Sequence, residues 1–189
     1  MSYFIRRQKR RDFILEEDGT TIAEANFPSW SRMEATIQFG QITYLLKKKK
    51  WYSKKYLIIR NRLPVGEISS NWKGHLFFKL QAEAAKEADY VPSNMDIDAS
   101  EVDWRGKEVI TYKMKHRGLF KSKFELFQNK DPRPMLTMRA EKNWFKVNYQ
   151  IEVHAADNLY FPIEELLGLF GFGATLIHAR RAASGAAAS

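Results

Sequence analysis

The sequence predicts a mainly β protein: an antiparallel meander reused along the chain, followed by one hydrophobic helix. Three observations carry this expectation. Apolar and polar residues alternate with period two, the signature of half-buried strands. Three strand–turn–strand units repeat one order of residue types. A twelve-residue stretch, residues 166–177, carries no charge. The 189 residues fit one domain, and 44% hydrophobic residues are enough for a real core. Aromatics reach 14%, which favours a sheet-rich interior.

The elements follow in chain order. Residues 13–17 and 20–27, separated by Asp18-Gly19, read as a tight hairpin. In 34–39, Ala35, Ile37 and Phe39 share one face, opposite Thr36 and Gln38. Residues 56–60 and 65–69 flank a turn at 61–64. From Gln81 to Trp104 the alternation lapses into an acidic stretch, read as a long surface connection with a short helical turn near 82–88. Residues 109–116 then set Ile110, Tyr112 and Met114 against Thr111, Lys113 and Lys115. Residues 123–127 and 135–141 flank a loop at 129–134 whose prolines punctuate it. The cleanest alternation is 144–153, with Phe145, Val147, Tyr149, Ile151 and Val153 on one face.

The hairpins look like copies. Phe13-Ile14-Leu15, Tyr56-Leu57-Ile58 and Phe124-Glu125-Leu126 each lead through a turn to a second strand, a tryptophan (Trp30, Trp72, Trp144) and a third strand. The period is irregular, so the pattern is a reused meander and not a solenoid.

Pro162 suits the first turn of a helix, with Glu164 and Glu165 at its positive end and His178, Arg180 and Arg181 towards the negative end. Leu166, Leu167, Leu169, Phe170, Phe172, Leu176 and Ile177 leave no polar face, so the helix must be buried all round. Gly168, Gly171 and Gly173 each cost about 1 kcal/mol against alanine in a helix. Close approach of surrounding strands is the expected reason. Twelve uncharged residues fall short of the ~20 that span a bilayer, so no transmembrane span is expected. No apolar run follows the basic N-terminus, so a secretory signal is not expected either. The expected domain runs over residues 1–181, with 182–189 a flexible small-residue tail.

The hairpin Tyr56-Leu57-Ile58-Ile59-Arg60…Val65-Gly66-Glu67-Ile68, its echo at Phe13…Ile22-Ala23-Glu24, and the helix over 163–179 resemble the tubby C-terminal-like superfamily, with its LURP-one-related proteins and phospholipid scramblases. The resemblance is one of pattern, from about Phe4 to Ala179. It implies a closed antiparallel β-barrel of about 12 strands around a hydrophobic C-terminal helix. Physics agrees. A barrel that wide encloses more lumen than side chains fill, a central helix fills it, and closure removes aggregation-prone edges. Tubby proteins bind phosphoinositides through basic side chains, but no binding residue transfers here one for one. The chain has no cysteine, so the palmitoylated segment of scramblases has no counterpart.

No catalytic set stands out. The four histidines, His75, His116, His154 and His178, form no H-E-x-x-H pattern, and no G-x-S-x-G elbow exists. The first three read as ordinary, partly exposed strand residues and His178 as a helix cap. The pairs Glu16-Glu17 and Glu164-Glu165 make poor acid–base partners, and the acidic 87–103 stretch lacks calcium-loop spacing. No enzyme activity, cofactor or metal is expected.

The basic runs are the functional lead. Net charge is +9. Lys47, Lys48, Lys49, Lys50, Lys54 and Lys55 surround Trp51 and Tyr52; Arg6, Arg7, Lys9, Arg10 and Arg11 form a second cluster. Cations around interfacial aromatics suit anionic phospholipid headgroups. The plain alternative is a solvated turn that keeps the protein soluble. Nucleic acid is disfavoured, because no stacking platform of an RNA-binding sheet is evident. The expectation is a non-enzymatic module in the cytoplasm, peripheral at the membrane, docking on anionic lipid or a partner protein. A scaffolding subunit using aromatics such as Trp30, Trp51 and Trp72 is the alternative, and scramblase-like lipid translocation comes third.

Overall fold

A computed structural model of the chain describes residues 2–9, 11–28, 34–50, 52–85, 102, 104–117, 123–129, 131–141, 148–154 and 159–186. Twelve strands appear in these residues: β1 (Tyr3–Arg7), β2 (Phe13–Glu17), β3 (Thr20–Asn26), β4 (Ala35–Phe39), β5 (Ile42–Lys48), β6 (Tyr56–Arg60), β7 (Leu63–Ser70), β8 (Leu76–Gln81), β9 (Val109–Arg117), β10 (Lys123–Gln128), β11 (Leu136–Glu141) and β12 (Asn148–Val153). Each pairs antiparallel with its sequence neighbours, and β1 pairs with β12 to close the barrel. The helix α1 (Ile163–Ala186) runs through the lumen.

Alternation places the predicted faces inward. Ala35, Ile37, Ile110, Tyr112, Met114, Tyr149 and Ile151 are all buried. Strand β12 is described from Asn148, so Trp144, Phe145 and Val147 lie outside the described residues. The alternation does not predict β1 or β5, because each ends in basic residues that read as loop. Pro64 belongs to β7 and not to the preceding turn. It sits opposite Ile59 where the register shifts, a bulge that spares the missing N–H. The predicted helical turn near 82–88 is a 3-10 turn over Ala82–Ala85.

The lumen is filled by α1. Leu167, Leu169, Phe170, Phe172 and Leu176 are almost wholly buried, and Phe172 stacks on Phe27 at 5.9 Å and meets Tyr56 edge-on at 5.6 Å. The glycines mark the tightest approaches. A Cβ at Gly171 would lie 2.8 Å from Phe13 and 2.9 Å from Ile5; one at Gly173 would lie 2.7 Å from Met114 and 2.8 Å from Phe78. The helix runs past the expected end at Ala179, through Ala186. The first five residues of the expected flexible tail are therefore helical, as alanine-rich sequence permits; residues 187–189 lie outside the described residues. Among the described residues no helix is long and apolar enough to cross a membrane.

The repeat seen in the hairpins extends over four strands: β1–β4, β5–β8 and β9–β12. The first strands align as Tyr3-x-Ile5-x-Arg7, Tyr44-x-Leu46-x-Lys48 and Tyr112-x-Met114-x-His116. Register confirms the equivalence: Arg7 pairs with Phe13, Lys48 with Tyr56, and His116 with Phe124. Each second strand is followed by an Asx residue with positive φ: Asp18 (45°), Asn61 (45°) and Asn129 (50°). Its side-chain oxygen accepts from the backbone N–H just before the tyrosine, namely Ser2 at 2.8 Å, Thr43 at 2.8 Å and Thr111 at 3.2 Å. Its own N–H donates back to that residue's carbonyl. Asn and Asp tolerate this left-handed backbone best among residues with side chains.

Candidate functional site: a cationic rim

An antiparallel barrel sends alternate connections to opposite rims. Those after β1, β3, β5, β7, β9 and β11 leave from the rim where the helix emerges; the rest leave from the rim where it enters. The two basic runs lie 40 residues apart in sequence, yet they occupy repeat-equivalent connections, β1–β2 and β5–β6. Both therefore fall on the exit rim.

Lys47 and Lys48 close β5; Lys49, Lys50, Tyr52, Lys54 and Lys55 form the connection after it. Backbone bonds shape this connection: the Lys49 N–H donates to the Lys55 carbonyl at 3.1 Å and the Ser53 N–H to the Lys50 carbonyl at 2.9 Å. Lys50, Lys54 and Lys55 are exposed, and Lys55 lies 3.7 Å from Glu67. Arg7 ends β1, Lys9 is exposed beyond it, and Arg11 is half-buried. Arg6 belongs to the outer wall, where its guanidinium donates to Glu16 at 2.5 Å; it is not part of the rim cluster. Arg10 and Trp51 lie outside the described residues.

Two neighbouring connections on this rim raise aromatics into solvent. Tyr52 is 65% exposed and Trp72 is 89% exposed. Each sits beside a lysine, Lys50 at 6.0 Å from the Tyr52 ring and Lys73 at 4.9 Å from the Trp72 ring. Of the other expected exposed aromatics, Trp30 lies outside the described residues.

The helix adds its own cations. Arg180 hydrogen-bonds the Tyr56 hydroxyl, which Arg11 also approaches; burial pushes that phenol up and the arginines counter it. Arg11 itself is lowered by burial and by Arg7 beside it. His178 is not a helix cap, for the helix continues past it. Its Nε2 instead lies 2.5 Å from the Tyr149 hydroxyl. His116 faces the lumen mouth, its ring 4.7 Å from Phe124 and 6.4 Å from His178, and the Arg181 guanidinium donates to its Nε2 at 3.3 Å. His116 is a partly exposed strand residue, as its sequence context suggests, but its ring is engaged on both faces of the lumen mouth. Burial, and then Arg181, lower it to about 4, so it is neutral at pH 7. His154 is exposed and pairs with Thr137, as expected of a surface residue.

The connection from β8 to β9 leaves from the entry rim; in sequence, residues 82–108 carry eight acidic against three basic residues. Its return limb is not simply solvated: Val102 and Trp104 pack on the outward-facing Leu57 and Ile59, so β6 is covered on both faces. The helix entry is anchored by a buried polar triad. Arg60 Nη2 lies 3.0 Å from Glu165 Oε1, the Tyr44 hydroxyl donates to Glu165 Oε2, and the Arg60 guanidinium sits 6.0 Å from the centre of the Tyr44 ring. Among the described residues no group of three or more acidic or histidine side chains is placed to hold a metal.

The rim residues on connections were legible in sequence as charge runs. Missed were Arg180 and Arg181 as rim members, and His116 as the equivalent of Arg7 and Lys48. The Tyr-x-apolar-x-cation spacing was the available signal, hidden because two of its three copies merge into basic runs. Compared with protein-family models, curated proteins and solved structures, the chain matches none.

Proposed function

We propose that the protein is a non-enzymatic binding module, a tubby-like barrel that docks its exit rim end-on against an anionic lipid surface. The observation that supports this reading is the convergence on one rim of two distant basic runs, the helix cations, and the exposed Tyr52 and Trp72. Each cation near anionic headgroups contributes about 1 kcal/mol, and interfacial Tyr and Trp carry an apolar body with a polar tip.

Co-sedimentation with vesicles of phosphatidylglycerol in phosphatidylcholine, against phosphatidylcholine alone, tests the reading. Binding should require the acidic lipid and weaken with salt. Replacing Lys50, Lys54 and Lys73 by alanine should weaken it about 100-fold, at roughly 1 kcal/mol per charge. Equal binding to neutral vesicles, or no loss in that variant, would defeat it. Recovery of an acidic protein partner in place of lipid binding would transfer the rim to the scaffolding alternative.

A further inference from the structure

At the inward-facing end of its first strand, each four-stranded unit places a basic residue: Arg7, Lys48 and His116. Two of the three are permanently charged. The third is a histidine held neutral at the mouth of the lumen, where the described residues facing it are cationic or aromatic. Arg181 and His178 face it from the helix, and Phe124 faces it from β10. His178 in turn meets Tyr149 of β12 and Arg7 of β1. On the connection before β8, His75 lies near Lys73, Lys113 and Lys115. Arg181 donates to His116 Nε2, which fixes that nitrogen as the acceptor and puts the proton on Nδ1. Nδ1 is buried, with no hydrogen-bond partner among the described residues. A proton arriving at Nε2 therefore breaks the Arg181 contact and sets two cations face to face.

We propose that protonation of His116 adds a third inward-facing cation to the exit rim, so that acid strengthens the docking of this rim on anionic lipid and a lipid phosphate beside His116 and Arg181 favours the protonated histidine. This rests on the reading of the rim given above and names its regulation. Burial first, and then Arg181 and His178, oppose the added charge when the rim is free. A phosphate beside His116 and Arg181 offsets the repulsion between them by supplying the opposite charge. Binding and protonation are then linked, each promoting the other by the same factor.

Vesicles of phosphatidylglycerol keep their phosphodiester charge from pH 7.5 to 4.5 and so isolate the protein's titration. The affinity of the full chain should gain about twofold from His116 by pH 4.5, because one added cation is worth about fivefold and a midpoint of about 4 leaves the histidine only partly charged there. His116→Gln should lose the rise due to this residue. His116→Lys should bind about fivefold more tightly at pH 7.5 and lose the rise as well. The His116 imidazole, followed by NMR in the unmodified protein, should titrate at higher pH when vesicles are present. Salt-sensitive binding at pH 7.5 with no pH-dependent difference between wild type and His116→Gln, or an imidazole midpoint that vesicles leave unmoved, would overturn the histidine's role while sparing the rim. Failure of the wild type to bind acidic vesicles at pH 7.5 and at 4.5 would overturn both.

Discussion

Replacing Glu165 by glutamine should unseat the helix at its entry rim. The side chains of Arg60 and Glu165 are each only 4% exposed, and the carboxylate also accepts from Tyr44. The amide keeps the shape of the carboxylate but removes the negative charge that Glu165 offers the buried Arg60 guanidinium. Breaking a buried pair from one side costs about 3–5 kcal/mol. For a chain of this length, where 1 kcal/mol moves the thermal midpoint by about 2–4 °C, the transition should fall by roughly 6–20 °C. Removing both charges tells a different story. Arg60→Leu with Glu165→Leu removes both charges of the pair, and buried pairs replaced by apolar residues are often neutral. The remaining debt is the Tyr44 hydroxyl, at about 1–3 kcal/mol, which Tyr44→Phe in the same background should relieve. Urea denaturation of the single, double and triple variants measures each step. The reasoning fails if Glu165→Gln loses less than about 1 kcal/mol, or if the double variant is no more stable than either single one.

Three further outcomes follow from the same geometry. Gly171→Ala should destabilise by up to about 2 kcal/mol, because overpacking against Phe13 and Ile5 (about 1–3 kcal/mol) exceeds the roughly 1 kcal/mol of helix propensity gained; a stabilised variant in a thermal melt would refute the close packing. Asn61→Ala should lose about 1–3 kcal/mol in urea, since alanine must hold φ of 45° without the bond to Thr43, whereas Asn61→Asp should be tolerated as Asp18 is. His116 is about 4 in the folded chain and near 6.5 when unfolded, so between those values the unfolded chain binds more protons. Stability should therefore be full above pH 6.5 and fall by about 1–2 kcal/mol, after solvent screening, as pH drops to 4. Urea midpoints across that range should show the decline, and His116→Gln should flatten it.

Period-two alternation and an uncharged helix were enough to specify strands, their inward faces and a buried plug, because both signals are local and each maps directly onto one face of one element. Ile37, Tyr112 and Ile151 were readable as core from their neighbours alone. The three glycines announced close packing by their cost, though not which strands approach them. Closure was different. It depends on β1 meeting β12 across nearly the whole chain, and β1 itself was disguised by the arginines at its end. The composition of the rim was equally non-local. Nothing adjacent to Arg7, Lys48 or His116 in sequence relates them; an even number of strands between repeat-equivalent positions returns each to the same rim. Burial of Glu165 against Arg60 likewise needed the helix threaded through the lumen, since a carboxylate in a first helical turn serves the dipole equally well in water. Sequence alone determined what kind of elements exist and which side of each is apolar. Only the closed tertiary structure decided which charges share an end, because that depends on strand direction and pairing around the whole barrel.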